Sequence, residues 1–262
     1  MRTAEAFAKT RAEGRAALVG YLPAGFPTLA DSIKAIDIMI DHGADIVEVG
    51  LPYSDPVMDG PAIQKAADRA LAAGFRTRQV FDVVEAVSGR VPILVMTYWN
   101  LVERYGVDRF ARDFQAAGGA GLITPDLIPD EADEWIAAAD AHDLDRIFLV
   151  APSSTEERIA STVAACRGFV YAQSVMGVTG ARSATSAAAP LLVERTRKHT
   201  DLPIGVGLGV RSGDQAAEIG AYGDAVIVGS AIVNCYLDAE DVPSGHQRLA
   251  ELTADLAEGV RR

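Results

Sequence analysis

A carboxylate in the middle of an apolar segment is the first feature of this sequence that could do chemistry. Residues 46–49 read Ile-Val-Glu-Val, and a short β-branched run of this kind is typical of a strand buried on both faces. An ionised Glu48 would be costly there unless it is paired or used. A loop rich in proline and glycine follows and carries Ser54, Asp55 and Asp59. The segment predicts an acid–base site at the C-terminal end of a strand, where barrel enzymes hold their catalytic residues.

The same residues also allow structural explanations. A strand glutamate can reach solvent or pair with a buried Lys or Arg, although inward-facing charges on barrel strands often mark active sites. Asp55 precedes a proline and Asp59 precedes a glycine, and aspartate is a common turn residue in both contexts. Between two valines, Glu48 should have a raised pKa, which suits a group that both gives and takes a proton near neutral pH.

Two junctions of small residues follow later apolar segments. Residues 207–209 read Gly-Leu-Gly, and residues 229–231 read Gly-Ser-Ala. The ends of the last two strands of a parallel barrel commonly bind phosphate through backbone N–H groups and the N-terminus of a short helix. Residues 230–234 can form that helix, with Ser230 as its N-cap. Either glycine pair alone could be a tight turn, but together they predict a small molecule that carries a phosphate.

Segments with strand and helix patterns alternate along the whole chain. The predicted strands are residues 16–22, 46–49, 92–96, 121–123, 146–150, 169–173, 203–206 and 225–228. Helical patterns lie between them, and residues 3–12 predict an additional helix before the first strand. Eight strand–helix units in 262 residues favour an α/β fold, a (β/α)8 TIM barrel with short extra helices. We expect a single domain over residues 1–262 rather than an open doubly wound sheet.

Composition argues against several other classes of function. The formal net charge is −12 and the isoelectric point is near 4.8, which argues against nucleic-acid binding. Residues 1–15 lack the apolar core of a signal peptide and no run reaches membrane-spanning length, so we expect a cytoplasmic protein. Neither Cys166 and Cys235 nor the four histidines have metal-ligand spacing. We therefore expect no metal site and no nucleophile activated by histidine.

Six segments resemble the motifs of the tryptophan synthase alpha subunit family, and they occur in the family's order. They are residues 48–56, 59–64, 96–100, 177–181, 207–210 and 229–233. The segment 48–64 is highly specific, whereas the glycine pairs are shared with other phosphate-binding barrels. The resemblance covers nearly the whole chain.

This resemblance implies the retro-aldol cleavage of indole-3-glycerol phosphate to indole and D-glyceraldehyde 3-phosphate, in tryptophan biosynthesis. In the family, the glutamate at the position of Glu48 protonates indole C3 and takes the proton from the adjacent side-chain hydroxyl. The aspartate at the position of Asp59 accepts a hydrogen bond from the indole N–H and stabilises the cationic intermediate. Tyr171 matches a tyrosine that helps to position the glutamate. The resemblance thus implies these three as catalytic residues.

The resemblance also implies a set of substrate-binding residues: Tyr21, Ile63, Thr179, Gly180, Gly207, Leu208, Gly209, Gly229 and Ser230. Thr179 lies in segment 176–183, which has the composition of a mobile lid or of an inert flexible loop. In the family this threonine hydrogen-bonds the aspartate when the site closes. The sequence departs from the family's pattern at Leu208 and Tyr21, where members often have Phe, and at Phe26, where Asp is frequent. These departures put the packing of indole in doubt and leave both carboxylates in place.

The resemblance implies no cofactor on this chain and a partner, a beta subunit that carries pyridoxal phosphate and receives indole in an α2β2 heterotetramer. The alternative is a catalytically silent barrel that only binds and activates the beta subunit, and such a chain would have lost its carboxylates. A sugar-phosphate isomerase would share the glycine junctions without the pairing of Glu48 with Asp59. A flavin-binding barrel would give a coloured protein.

Overall fold

The computed structural model describes residues 2–173, 188–207 and 209–262. Within these residues the strands are β1 Ala17–Pro23, β2 Ile46–Gly50, β3 Ile93–Met96, β4 Gly121–Ile123, β5 Asp145–Ile147, β6 Leu149–Val150, β7 Val170–Gln173, β8 Ile204–Gly207 and β9 Ala225–Val228. The helices are α1 Thr3–Ala12, α2 Leu29–Asp41, α3 Pro61–Ala72, α4 Gln79–Val87, α5 Trp99–Tyr105, α6 Val107–Ala116, α7 Asp133–Ala141, α8 Glu156–Ala165, α9 Ala188–Arg197, α10 Gly213–Gly220, α11 Ser230–Leu237 and α12 Val242–Gly259. None of the described helices is long and apolar enough to span a membrane.

The strands form one parallel sheet that closes almost completely into a barrel. Their order is β5-β4-β3-β2-β1-β9-β8-β7-β6, so the two edge strands are consecutive in the chain. Only Phe148 separates them. The predicted α/β TIM barrel with an N-terminal helix and short extra helices is confirmed.

The predicted fifth strand, residues 146–150, is divided into β5 and β6. Strand β4 has three residues, and its pairing with β5 stops at Ile123 and Ile147. The chain then turns away from β4 and pairs with β7 from Leu149 onwards. Nine strand segments therefore stand where eight strands were expected.

Two helix starts depend on side chains that the sequence pattern did not assign. Helix α5 was not predicted, and its first N–H, that of Trp99, donates to Asp126 at 2.9 Å. Helix α12 begins at Val242, where Asp241 and Ser244 form a capping box. Thr28 caps α2, accepting from the N–H of Asp31 at 3.1 Å.

Alternate side chains of the strands face the barrel interior, and helix α1 closes its lower end. Phe7 packs on Phe169 with ring centroids 5.5 Å apart, and the hydroxyl of Thr3 donates to the buried carboxylate of Asp145 at 2.5 Å. Above this apolar floor, Tyr21 on β1 lies beside Glu48 on β2 in the parallel register. Tyr21 and Glu48 therefore lie toward the C-terminal ends of their strands, whereas the buried Thr3–Asp145 pair lies at the lower end.

A buried ion pair fixes β1 against β2 at the lower end. The guanidinium of Arg15 donates to both carboxylate oxygens of Asp45 at 2.7 and 2.8 Å, and Asp45 also accepts from the N–H of Leu18 at 3.0 Å. The side chains of Arg15 and Asp45 are only 4% and 8% exposed. This bidentate pair holds the register that puts Tyr21 beside Glu48.

Replacing Asp45 with alanine should therefore destabilise the fold strongly. The change leaves a buried guanidinium without its main partner, which costs on the order of 3 kcal/mol in the free energy of unfolding. Urea unfolding measures this loss. Asp41→Ala is the matched control, because Asp41 pairs with Arg90 in solvent and its loss should have little effect. Equal losses in the two variants would contradict the role given to Asp45.

Candidate active site

Glu48 is a buried carboxyl that has no countercharge among the described residues. Its side chain faces the barrel interior from β2, the residue is 1% exposed, and Oε1 has no hydrogen-bond partner among the described residues. Burial raises the pKa of Glu48 to about 8. The neutral and ionised forms are thus both accessible near neutral pH, as the apolar strand sequence led us to expect.

Asp59 faces the same cavity from the loop that precedes α3. Burial raises the pKa of Asp59 to about 6, although a hydrogen bond from Tyr98 acts in the opposite direction. The amide of Gln64 donates to the backbone oxygen of Asp59 at 2.8 Å, and Gly60 is the N-cap of α3. The loop is therefore fixed on both sides of Asp59, and the side chain is available to a ligand rather than used in the turn.

Tyr98 connects the loops that follow three neighbouring strands. Its hydroxyl accepts from the N–H of Met58 at 2.9 Å and donates to Asp59. The next residue, Trp99, starts α5 and is held by Asp126. Tyr98 appeared in a family motif but not among our expected site residues, because its contact with the loop after β2 is a tertiary one.

Two further tyrosines flank Glu48, and each lies against a glycine. A Cβ on Gly207 would stand 2.5 Å from the hydroxyl of Tyr171, and a Cβ on Gly50 would overlap the hydroxyl of Tyr21. Burial, with the nearby Glu48 and Asp59 charges as smaller causes, raises the pKa of both phenols well above the usual range. Both phenols therefore remain neutral.

The cavity collects most of the expected site residues. Its lining contains Tyr21, Glu48, Asp59, Ile63, Tyr171, Gly207, Gly209, Gly229 and Ser230. Sequence reasoning missed six further lining residues: Met58, Met96, Pro125, Leu149, Gln173 and Ile227. Most continue the alternate inward positions of the strands, so the period of two could have found them. Thr179, Gly180 and Leu208 lie outside the described residues, as does segment 176–183.

The predicted helix at the last junction is present, but its cap differs. Gly229 is the N-cap of α11 and provides no side-chain hydrogen bond, while Ser230 is the first helical residue. The prediction of Ser230 as N-cap was therefore wrong by one position. Because the cap lacks a side chain, the first N–H groups of α11 are not covered by one, as suits an anion site. Gly209 has φ +60°, which a side chain would strain.

The arrangement suits proton transfer at carbon beside a bound phosphate. The described residues contain no group of three or more His, Cys, Asp or Glu that could hold a metal ion. Two carboxyls with raised pKa values share an otherwise apolar and tyrosine-lined cavity. A larger cavity of about 440 Å³ opens at the opposite end, between α1 and α10, and shares no lining residue with this one.

Glu48 should make the fold less stable as pH rises. Its pKa is about 8 when folded and near 4.5 when unfolded, so below pH 4.5 the carboxyl is neutral in both states and costs nothing. Above pH 4.5 the unfolded chain loses the proton first, and the cost grows to about 5 kcal/mol above pH 8. The stability advantage of Glu48→Gln over the parent should therefore increase by several kcal/mol between pH 5 and pH 9.

Urea unfolding at the two pH values measures this advantage. Glu85→Gln on the exposed face of α4 is the control and should show no such increase. A pH-independent difference for Glu48→Gln would mean that Glu48 is not desolvated in solution.

Comparison with known proteins identifies the family of this chain. The family model for the tryptophan synthase alpha chain matches residues 7–261. The chain is similar to the tryptophan synthase alpha chain of Salinispora arenicola, at 62% identity over 98% of this chain and 96% of that protein. The corresponding protein of Nocardia farcinica is 61% identical over 99% and 96%. A structure of Mycobacterium tuberculosis tryptophan synthase superposes with a TM-score of 0.94 at 57% identity, covering 100% of this chain and 98% of that one. This chain belongs to the tryptophan synthase alpha chain family.

Proposed function

We propose that Glu48 and Asp59 are the residues with which this chain performs its family's reaction. That reaction is the cleavage of indole-3-glycerol phosphate to indole and D-glyceraldehyde 3-phosphate, a carbon–carbon lyase step of tryptophan biosynthesis. The observation that carries the assignment of residues is the burial of two carboxyls with raised pKa values in one cavity, beside the N-terminus of α11.

Glu48 is the acid and base. In its neutral form it protonates indole C3, which removes the aromatic stabilisation of the pyrrole ring. The resulting carboxylate takes the proton of the adjacent hydroxyl on the substrate's side chain as the carbon–carbon bond breaks. The electrons of that bond return to the indole ring. A pKa of about 8 supports both half-steps, since a proton on Glu48 is neither tightly held nor lost at neutral pH.

Asp59 stabilises the positive charge that this protonation creates. Its pKa of about 6 leaves it mostly ionised when Glu48 is mostly neutral. A carboxylate at the indole N–H lowers the energy of the cationic intermediate more than that of the neutral substrate, which is the requirement for catalysis. The two unequal pKa values support this division of roles.

The remaining residues hold the substrate. Backbone N–H groups at Gly229 and Ser230, with Gly207 and Gly209 opposite, bind the phosphate at the N-terminus of α11. Tyr171 limits the positions open to the Glu48 side chain. The close packing of the Tyr171 hydroxyl against Gly207 supports this role. Tyr21 and Ile63 cover the bound substrate. The family resemblance extends a substrate-binding role to Leu208, Thr179 and Gly180, which lie outside the described residues.

Members of the family have no cofactor of their own and act with a beta subunit that carries pyridoxal phosphate, as in tryptophan synthase complexes. The α2β2 heterotetramer is the assembly of this family. We place the chain in the cytoplasm, an inference supported by two buried and unpaired cysteines.

Glu48→Gln should abolish cleavage and keep substrate binding. Glutamine has the same shape and cannot exchange a proton, so the rate should fall by at least about a thousandfold while the dissociation constant changes little. The assay is formation of glyceraldehyde 3-phosphate, with and without a matching beta subunit, and Glu85→Gln is the surface control. Cleavage by Glu48→Gln would overturn the mechanism. Absence of cleavage by the unmodified chain under both conditions would favour the alternative, a barrel that only activates its partner.

Tyr98→Phe should shift the pH dependence of cleavage. Removal of the hydroxyl deprives Asp59 of its donor, so the pKa of Asp59 should rise above about 6. The acidic limb of the profile of kcat/KM should move to higher pH by up to about one unit, with a smaller effect on the alkaline limb. Tyr105→Phe is a control, because its hydroxyl bonds Asp113 on the outer helices. An unshifted acidic limb would show that Tyr98 does not act on Asp59.

A further inference from the structure

The hydroxyl of Tyr21 occupies a specific place in the cavity. Tyr21 pairs in register with Glu48, and its hydroxyl lies over Gly50, two positions further along β2. Successive inward positions of a strand rise toward its C-terminal end. The hydroxyl therefore stands above Glu48, on the side from which substrate enters.

The ring of Tyr21 extends from the phosphate junction to the carboxyls. A Cβ on Gly229 would stand 3.3 Å from Cδ1 and 3.6 Å from Cβ of Tyr21, so the near end of the side chain borders the predicted phosphate site. The far end borders Gly50. The side chain thus runs parallel to the path between the phosphate and Glu48, along which the three-carbon chain of the substrate must lie.

This hydroxyl has no protein partner in the described residues, although Tyr21 is only 7% exposed. It is also a donor under all relevant conditions, because burial, with the charges of Asp59 and Glu48 as smaller causes, raises the pKa of Tyr21. The other titratable groups near it are Tyr98 and Tyr171, whose pKa values are raised as well. A donor that lines a ligand cavity and has no partner among the described residues has the properties of a group that a ligand satisfies.

Resting on the proposed function, we infer that the Tyr21 hydroxyl is a specificity determinant that hydrogen-bonds a hydroxyl of the substrate's three-carbon side chain. A phenylalanine at this position would give the same apolar surface without the donor. Gly50 is required for this position of the Tyr21 hydroxyl, because any side chain at residue 50 would displace the hydroxyl.

The test compares two ligands that differ only in those hydroxyls. The full-length Glu48→Gln chain, which should not turn over, is titrated calorimetrically with indole-3-glycerol phosphate and with indole-3-propanol phosphate, which lacks the side-chain hydroxyls. The titrations are repeated with Tyr21→Phe added. The second substitution should weaken binding of the hydroxylated ligand about five- to tenfold, the usual contribution of one neutral hydrogen bond, and should leave the other ligand within about twofold.

Two further variants define the result. Gly50→Ala in the same background displaces the hydroxyl and should reduce the preference for the hydroxylated ligand in the same direction. Tyr222→Phe removes an unpartnered hydroxyl at the opposite end of the barrel and should change neither affinity. Equal effects of Tyr21→Phe on both ligands, or none, would overturn this inference while cleavage by the unmodified chain keeps the proposed function intact. Binding of neither ligand to Glu48→Gln, with no cleavage by the parent, would overturn both.

Discussion

No residue in the described part of the chain places a countercharge beside Glu48, and the rest of the site depends on this constraint. A carboxyl 1% exposed and without a partner at Oε1 keeps its proton to about pH 8. A lysine or arginine nearby would stabilise the carboxylate and remove the neutral form that protonates carbon. The described lining of the cavity contains carboxyls, phenols, the Gln173 amide, the Ser230 hydroxyl, backbone and apolar groups, and no Lys, Arg or His.

Because the described lining has no cationic side chain, an anionic substrate must be bound by backbone N–H groups. The phosphate junction uses Gly229 and the first turn of α11, where partial charges of N–H groups replace side-chain cations. Such dipoles fall off faster with distance than a full charge. They can therefore hold a phosphate at one end of the cavity with little effect on the pKa of Glu48 at the other. Gly50 and Gly207 leave room for the neutral phenols of Tyr21 and Tyr171 beside Glu48.

The sequence predicted what depends on local pattern. The alternation of strand and helix patterns predicted the barrel. The valines on either side of Glu48 predicted the burial of its carboxyl and its raised pKa. The division of the fifth strand at Phe148 was not predictable, because it follows from the short length of β4 and not from residues 146–150 themselves. Tyr98 was missed as a partner of Asp59, and α5 as a helix, because both rest on contacts between loops far apart in sequence. Ser230 was predicted as the N-cap of α11 because serine is a frequent N-cap. The observed N-cap is Gly229, which has no side chain that could mark it in the sequence.

The interruption at Phe148 also divides the barrel wall into two mechanical parts. Tyr21, Glu48 and the junction at Gly229 lie on or directly after β1, β2 and β9, three strands joined by continuous ladders of hydrogen bonds. Leu149 lies on the far side, where no ladder joins β5 to β6 and a single bridge between Arg146 and Arg167 links β5 to the segment before β7. The distance between Glu48 and the phosphate junction at Gly229 is thus set by three strands with continuous hydrogen-bonded pairing. The wall near Leu149 is joined by fewer backbone hydrogen bonds than these three strands, so we expect an aromatic ring to be accommodated there and the distance from acid to phosphate to stay fixed.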